Sequence, residues 1–455
     1  MSQTSHRGGA TGVAPPPVAA APPQPTAPAT TPPAPMAGRP RPATPSADTP
    51  APAVKTTDTP RRLRLVSLGV VVAGVVVALL GAMTFSYLAF SLSRAQADTA
   101  QLIRVQKIQS NLLSADATTT NAFLVGGLAP PEQRAVYDQA LSSTSALIVE
   151  ASEAQPADAT ALSALNQQVV SYAAAIEQAR ANNRVGLPVG AQYLRNASAE
   201  LRSTAIPILD NLVSSNATRA SDQMDPRAGY LYIFPVISLL ALVGVILGQV
   251  WLARRFKRTI NVGMLASAVA LLVITVGALI AAQQLNNTLS SISNGSFAAV
   301  NTAADARIDA NNAKSNESLT LIARGSGQDF ETAWKSSADS VAENVQRLND
   351  RPELLNQWQA YTDVHAEIRT LDDGGRWERA VSLATGAGKN SSNTVFGTFD
   401  SNLADYLEGV SQDTSSALAA ERPLMVVAAI LALLGGLAAA LLGRWGIGAR
   451  LKEYQ

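Results

Sequence analysis

Four charged residues stand where the helices of this chain could present them to a small polar solute. Arg104 and Asp116 belong to the first polar half of the chain, and Arg307 and Arg324 belong to the second. A guanidinium group binds a carboxylate through two parallel hydrogen bonds, and a carboxylate binds an ammonium group. These side chains would therefore suit the two charged ends of an amino acid. The alternative is that they are only solvated charges on a helix surface.

The other reactive residue types form no catalytic or metal-binding pattern. The sequence has two histidines, His6 and His365, and no cysteine. A zinc site needs several convergent ligands, and a phosphate-binding loop needs a Gly-rich turn with a Lys before a helix. Neither pattern is present. His365 lies on an apolar stripe, which favours a packed histidine over a ligand or a pH switch. We therefore predict that the protein is not an enzyme and has no cofactor.

The composition places the chain in a lipid bilayer. Hydrophobic residues make up 47% and charged residues only 15% of the 455 residues. About 20 apolar residues suffice to cross a bilayer, and four runs come close to that length or exceed it. None of these runs contains Asp, Glu, Lys, Arg or His, which disfavours a transporter or pump. The net charge of +1 gives no support for a nucleic-acid partner.

Basic residues flank the four runs on one side only. Cytoplasmic loops are enriched in Lys and Arg, so both termini are predicted to be cytoplasmic and the protein to be a multi-pass protein of the plasma membrane. A short basic turn at 251–259 separates the second and third runs. Its basic residues are candidate contacts for a cytoplasmic partner: Arg254, Arg255, Lys257 and Arg258.

Two polar segments of similar length separate the runs and share a layout. The first contains DATTTNAFLVGG at 116–127 and the second SNESLTLIARGS at 315–326, each of which reads as a helix that ends at glycine. Apolar residues at three- and four-residue spacing predict helices throughout. In the first segment the clearest stripe is Leu162, Leu165, Val169, Tyr172, Ile176 and Ala179.

These patterns predict an all-α membrane protein with four transmembrane helices and two duplicated extracytoplasmic four-helix bundles. In each bundle the first and last helices continue into a membrane span. The segment before the first span is rich in Pro, Ala and Thr and is predicted to be disordered. The domains are a cytoplasmic tail (1–60), span 1 (65–92), bundle 1 (93–228), span 2 (230–252), a basic turn (253–259), span 3 (260–285), bundle 2 (286–422), span 4 (424–442) and a cytoplasmic stub (443–455).

Small residues recur at helix-packing spacing within the spans. Such residues let two membrane helices approach closely, within one chain or between two copies. They are also common in any Ala-rich chain, so the two interpretations stay open, as does a homodimer. The residues concerned are Gly74, Ala78 and Ala82 in span 1, Gly244 and Gly248 in span 2, and Gly436 and Ala440 in span 4.

The paired bundles resemble the four-helix sensor domains of chemoreceptors and histidine kinases. The run at 116–127, followed by PPEQRAVYDQAL at 130–141, has the look of those sensors. The duplication, the Pro-rich arm and the lack of room for an output domain resemble the GlnX family of actinobacterial membrane proteins. That resemblance implies a relay from extracellular amino acids (glutamate, aspartate or glutamine), through a solute-binding lipoprotein, to a cytoplasmic Ser/Thr kinase. The kinase would adjust nitrogen and 2-oxoglutarate metabolism.

Two functional hypotheses therefore follow from the sequence. In the first, the chain is a signal relay, since a helix shared between a bundle and a span can transmit a shift. In the second, it is a structural scaffold of the cell envelope or division machinery, which needs the same topology but no ligand.

Overall fold

The computed structural model describes residues 59–127, 129–225, 228–256 and 260–451. These residues form helices joined by short turns, with no strand among them, so the predicted all-α fold is confirmed. Most of the predicted tail, Lys257 and Arg258 of the basic turn, and the last four residues lie outside the described residues.

Twelve α-helices follow one another along the described chain. A 3-10 turn (Pro156–Asp158) precedes the third of them, and a π-helical turn (Leu201–Ala205) lies between the fourth and fifth. The α-helices are α1 (Thr59–Val125), α2 (Pro131–Ala154), α3 (Ala159–Arg184), α4 (Val189–Glu200), α5 (Ile206–Met224), α6 (Ala228–Phe256), α7 (Val262–Asn294), α8 (Ser296–Ile322), α9 (Gln328–Arg347), α10 (Pro352–Asp373), α11 (Trp377–Thr385) and α12 (Ser392–Leu451).

Four apolar stretches of these helices are long enough to cross a membrane, as predicted. They lie in α1, in α6, in α7 and in α12. The helices α1 and α12 are the longest, with 67 and 60 residues, because each runs without a break from an apolar span into a polar bundle. The third span meets its bundle differently, since Gly295 separates α7 from α8.

The first and fourth spans approach each other through small residues. A Cβ on Gly74 would lie 2.7 Å from the backbone nitrogen of Ala440, and a Cβ on Gly436 would lie 2.6 Å from that of Ala78. Neither glycine could therefore carry a side chain without moving the helices apart. Two of the predicted small-residue motifs thus make a contact within one chain. Gly244 of the second span has no atom within 4 Å of such a Cβ.

Asn261 ties the turn between the second and third spans to the fourth span. Its Oδ1 accepts hydrogen bonds from the backbone nitrogens of Gly263 and Met264, which caps the start of α7. Its Nδ2 donates to the carbonyl oxygen of Gly446 in α12 at 2.8 Å. The predicted hairpin is therefore anchored by an amide.

Bundle 1 is formed by the polar part of α1 together with α2, α3, α4 and α5. The predicted stripe on α3 is buried throughout, from Leu162 to Ala179. A proline kinks a helix or removes one of its hydrogen bonds, and Pro207 lies in the first turn of α5. The wider π-helical turn at Leu201–Ala205 ends two residues before this proline and joins α4 to α5.

Bundle 2 is formed by α8, α9, α10 and the first part of α12, with the short α11 as an additional helix in the last connection. The two bundles are packed against each other within the chain, because α1 runs alongside both α8 and α12. One helix of bundle 1, α1, therefore packs along two helices of bundle 2.

Candidate functional site

The two bundles can be compared residue by residue because their buried stripes coincide. On α3 and α10 the buried residues fall at the same spacing, so Tyr172 corresponds to Tyr361 and Ile176 to His365. On α2 and α9 we match Tyr137 with Trp334 by position, since each is the seventh residue of its helix. This correspondence supports a duplicated frame and allows the charges on the two frames to be compared.

Asp116 joins the two bundles. Its carboxylate is fully buried and accepts hydrogen bonds from the hydroxyls of Tyr172 at 3.2 Å and Ser198 at 2.9 Å, both in bundle 1. It also accepts from the hydroxyl of Ser315 in bundle 2 at 2.7 Å. Arg202 Nη2 lies 2.8 Å from Oδ2 and supplies a positive charge. The same carboxylate therefore holds α1, α3, α4 and α8 together.

A buried charge network fills the centre of bundle 2. Glu317 has no exposed surface, and its Oε1 lies 2.7 Å from Lys314 Nζ and accepts from the hydroxyl of Ser392 at 2.7 Å. Its other oxygen lies 3.1 Å from Nδ1 of His365, whose Nε2 lies 3.2 Å from Glu331. The imidazole ring of His365 stacks on Trp334 with centroids 3.5 Å apart. Buried charges persist only when they are paired in this way.

The network shifts the protonation of its members. Burial alone would raise the pKa of Glu317, but the charge of Lys314 and the hydrogen bond from His365 lower it to about 2. Burial alone would lower the pKa of His365, but hydrogen bonds to Glu317 and Glu331 raise it above its usual value of 6.5. An imidazolium that donates from both ring nitrogens would satisfy both carboxylates.

A cluster of arginines lies at the membrane-distal end of bundle 1, where α1 ends, α2 begins and α3 ends. We call Arg134, Arg180 and Arg184 the arginine corner. They line a cavity of about 80 Å³ together with Thr119, Phe123 and Asn183. The side chain of Arg180 is only 11% exposed, with Nη1 2.6 Å from Glu177 and its guanidinium 4.1 Å from the ring centre of Tyr137. Arg184 is exposed and makes no ion pair with any described residue.

The corresponding corner of bundle 2 is filled by carboxylates. Arg369 follows Tyr361 at the spacing at which Arg180 follows Tyr172. Its guanidinium lies 3.4 Å from Glu331, 2.6 Å from Asp372 and 2.5 Å from Asp373. In bundle 1 the positions of these three acids carry, in the same order, Arg134, Asn183 and Arg184.

A second cavity, of about 330 Å³, lies between the two bundles. Amide groups from both bundles meet beside it. Asn121 of α1 accepts from Gln133 of α2 at 3.0 Å and from Asn393 of α12 at 2.8 Å. This contact adds a second polar link between the bundles.

The four predicted ligand residues do not converge on one site. Arg104 makes a surface ion pair with Glu150 at 2.7 Å, and Arg307 binds Asp400 through two hydrogen bonds at 2.8 and 3.1 Å. Arg324 lies two residues beyond the end of α8 with a φ of 46°, and its guanidinium lies 4.0 Å from the ring centre of Trp377.

Of these four, Asp116 is fully buried, at the contact between the bundles. The structure thus gives each of the four a partner from its own chain, and their role towards a ligand stays a prediction.

The predicted cytoplasmic contacts are described in part. Arg254 and Arg255 lie in the last turn of α6. Among the described residues, no group of three or more His, Asp or Glu side chains is arranged to hold a metal ion.

The sequence reasoning missed the arginine corner. One available signal was the spacing of Tyr and Arg, which is the same on α3 and α10. The other was the difference just after each Arg, where α3 has Asn183 and Arg184 and α10 has Asp372 and Asp373. These signals become readable only when the stripes of the two halves are aligned, since the overall identity between them is low.

Comparison with known proteins gives one match. No curated protein and no solved structure matches the chain. A family model described as the actinobacterial sensor domain matches residues 91–225. That range includes Asp116, the whole arginine corner and the helices that position them. Over this part the chain is similar to an actinobacterial sensor domain, which indicates a role in signal sensing.

Proposed function

We propose that the protein is a transmembrane signal relay. It couples the availability of extracellular amino acids (glutamate, aspartate or glutamine), presented by a solute-binding lipoprotein, to a cytoplasmic Ser/Thr kinase that controls nitrogen and 2-oxoglutarate metabolism. The match to a sensor domain supports the sensing role. The amino acids, the lipoprotein and the kinase rest on the resemblance to the GlnX family.

The observation that supports a relay most is the continuity of α1 and α12. Each helix carries residues of a bundle core and an apolar span without a break in the helix, although α12 contains Pro423 at the junction. A small rotation or translation of the bundle end must therefore reach the other end of the same helix, provided that the two states bind their partners differently.

Contacts between the bundles extend this argument. Ser315 and Asp116 join α8 to α1 by a buried hydrogen bond, and α1 also packs along α12. A change of packing in one bundle would then alter the register of both long helices.

The relay is tested by purifying its partners from membranes. The full-length chain is used as bait, with and without added glutamate, aspartate or glutamine. We expect recovery of an extracellular solute-binding lipoprotein and a cytoplasmic Ser/Thr kinase, with the amount of kinase depending on the amino acid. A bait that lacks residues 1–60 shows whether the tail carries the kinase contact.

Two further baits make the result specific. Ser315→Ala removes the hydrogen bond between the bundles and should weaken the response to the amino acid, whereas Ser340→Ala removes a hydroxyl that bonds only within bundle 2. Recovery of envelope-assembly proteins, indifferent to amino acids, would instead support the scaffold.

A further inference from the structure

We propose that the arginine corner of bundle 1 binds the carboxylate group of a small organic solute. The corner gathers three guanidinium groups around one cavity. The only acids paired with them among the described residues are Glu177 and Asp138, whose side chains are 51% and 57% exposed. Water already satisfies much of these two carboxylates, so the cavity side of the corner keeps a positive potential.

The corresponding corner of bundle 2 contains one arginine together with its acidic partners. There the corresponding Arg369 is surrounded by three carboxylates of the chain itself. Bundle 1 keeps the arginine and replaces two of the acids by further arginines. Three like charges at one corner repel one another unless an anion lies between them. Glu177 lies between Arg134 and Arg180, but Arg184 has no acidic partner among the described residues, so the chain supplies fewer carboxylates per arginine to this corner than to the one in bundle 2.

The corner is already arranged for a planar anion. Arg180 is held in place by the ring of Tyr137 below it and by Glu177 beside it, and its Nη2 lies 3.4 Å from the hydroxyl of Thr119. A guanidinium that is fixed in this way loses little freedom when it binds a carboxylate through two hydrogen bonds. Asn183 adds an amide that can donate or accept.

The size of the cavity restricts the ligand. A volume of about 80 Å³ is several times the roughly 10–15 Å³ that one water needs, so the cavity admits a carboxylate group and a few further atoms. The rest of the solute must point towards the surface, where Arg184 is exposed. Phe123 provides an apolar wall for a short aliphatic chain. These features fit an amino acid or a small dicarboxylate.

The inference deepens the proposed function, because it gives the relay a site at which it could read a solute directly. Thr119 lies one helical turn after Asp116 on α1, so a ligand at the corner would sit next to the carboxylate that joins the bundles. Binding can nevertheless be measured without lipoprotein or kinase. Failure at the corner and failure of the relay are therefore separate results.

The test is isothermal titration calorimetry on the full-length chain in detergent micelles at near-neutral pH and about 0.15 M chloride, which screens non-specific attraction. The probes are succinate and L-glutamate, with succinamide as an uncharged counterpart of the same shape. We expect saturable binding of at least one carboxylate and none of succinamide.

Variants then assign the binding to the corner. Arg184→Gln should weaken the affinity at least about fivefold and Arg180→Gln more than about tenfold, because each removes a charge-assisted hydrogen bond to the carboxylate. Arg184 has no ion pair to lose, so its variant should fold normally. Arg195→Gln is the matched control, since it removes the same charge from bundle 1 outside the cavity and should leave binding unchanged.

Two results would overturn the proposal. One is the absence of saturable binding of both carboxylates by the wild-type chain. The other is binding that Arg184→Gln and Arg180→Gln leave at wild-type strength, which would place the anion elsewhere. Thermal unfolding of each variant in the same micelles verifies that a loss of binding is not a loss of fold.

Discussion

Bundle 1 and bundle 2 share a helical frame but differ in how they neutralise buried charge. Bundle 2 pairs its cations internally, through Glu317, Glu331 and the two acids that follow Arg369. Bundle 1 has two buried acids, Asp116 and Asp158, each paired with an arginine, and it places three further arginines at an open corner. The two halves thus share a helical frame but not a pattern of charge pairing, and bundle 1 is the half in which three arginines line one open cavity.

The surfaces of the two bundles differ in the same direction. Bundle 1 exposes Val136, Val149, Val170, Val185 and Leu187 among its large apolar side chains, whereas no described residue of bundle 2 does so. Single exposed valines are ordinary on soluble surfaces. The two bundles therefore differ in surface composition as well as in charge pairing.

The largest effect is expected from removing the central acid of bundle 2. Glu317→Gln leaves Lys314 and His365 without their shared carboxylate while both stay buried. Breaking a buried ion pair by removing one partner costs about 3–5 kcal/mol. The free energy of unfolding of the full-length chain in micelles, measured by chemical denaturation, should fall by about that amount.

The matched control for this variant is Glu343→Gln on the surface of the same bundle. Glu343 pairs with Arg347, and both side chains are more than half exposed. Its loss should change the unfolding free energy by less than about 0.5 kcal/mol. Equal effects of the two variants would show that the network around Glu317 contributes no more than a surface pair.

A smaller effect is expected from the buried acid of bundle 1. Asp116→Asn removes the charge that pairs with Arg202, but Arg202 is 27% exposed and can regain water. The expected loss is about 1–3 kcal/mol, from the hydrogen bonds that an amide cannot accept in the same number. A double-mutant cycle with Ser315→Ala should give a coupling of about 1 kcal/mol, because the two groups share one hydrogen bond across the bundles.

That cycle also measures how far the bundles act as one unit. A coupling close to zero would mean that Ser315 and Asp116 do not depend on each other in solution. The control pair, Ser340→Ala with Asp116→Asn, joins residues of different bundles that make no contact with each other, and it should show none.

Above neutral pH, part of the dependence of stability on pH should come from a histidine in bundle 2 that bundle 1 lacks. The pKa of His365 is raised above 6.5, so the folded state holds this proton more tightly than the unfolded state. The resulting stabilisation is complete below the unfolded pKa and is lost as pH rises through the raised value. Bundle 1 carries Ile176 at the corresponding position and has no such dependence from that position.

Unfolding free energies measured from about pH 6 to about pH 9 should therefore decrease in the wild-type chain and decrease less in His365→Gln. On the acid side the opposite sign applies to Glu317, whose pKa is lowered from 4.5 to about 2. Its contribution is present above the unfolded value and is lost as pH falls towards about 2. If the unfolding free energies of the wild type and of His365→Gln fell equally between about pH 6 and about pH 9, His365 would not be the source of this dependence.

The sequence predicted the fold well and the polar contacts poorly, for a physical reason. Apolar spacing depends on one helix at a time, so the stripe on α3 and the four spans could be read directly. The small residues Gly74 and Gly436 also pointed to a close helix contact, which the structure places between the first and fourth spans.

Polar partners depend on the register between helices that are far apart in sequence. Ser315 meets Asp116 only because α8 packs beside α1, and Glu331 reaches His365 only across two helices. No local pattern fixes such a register. The four predicted ligand residues have in common only that they are charged. The charge of a side chain does not show whether the side chain has a partner in its own chain.

The smallest effects concern two of those predicted arginines, one in each bundle. Arg307 binds Asp400 through two parallel hydrogen bonds, and both side chains are at most 20% exposed. Arg104 makes a single contact with Glu150, which is 57% exposed. Arg307→Gln should therefore cost about 1–2 kcal/mol of unfolding free energy, whereas Arg104→Gln should cost less than about 0.5 kcal/mol. Chemical denaturation of both variants measures the difference, and added salt should reduce the effect of Arg104→Gln more, since its ion pair is open to solvent. If Arg104→Gln proved the more costly of the two, the contrast between a bundle that neutralises its charges internally and one that leaves them to the solvent would not hold at this pair.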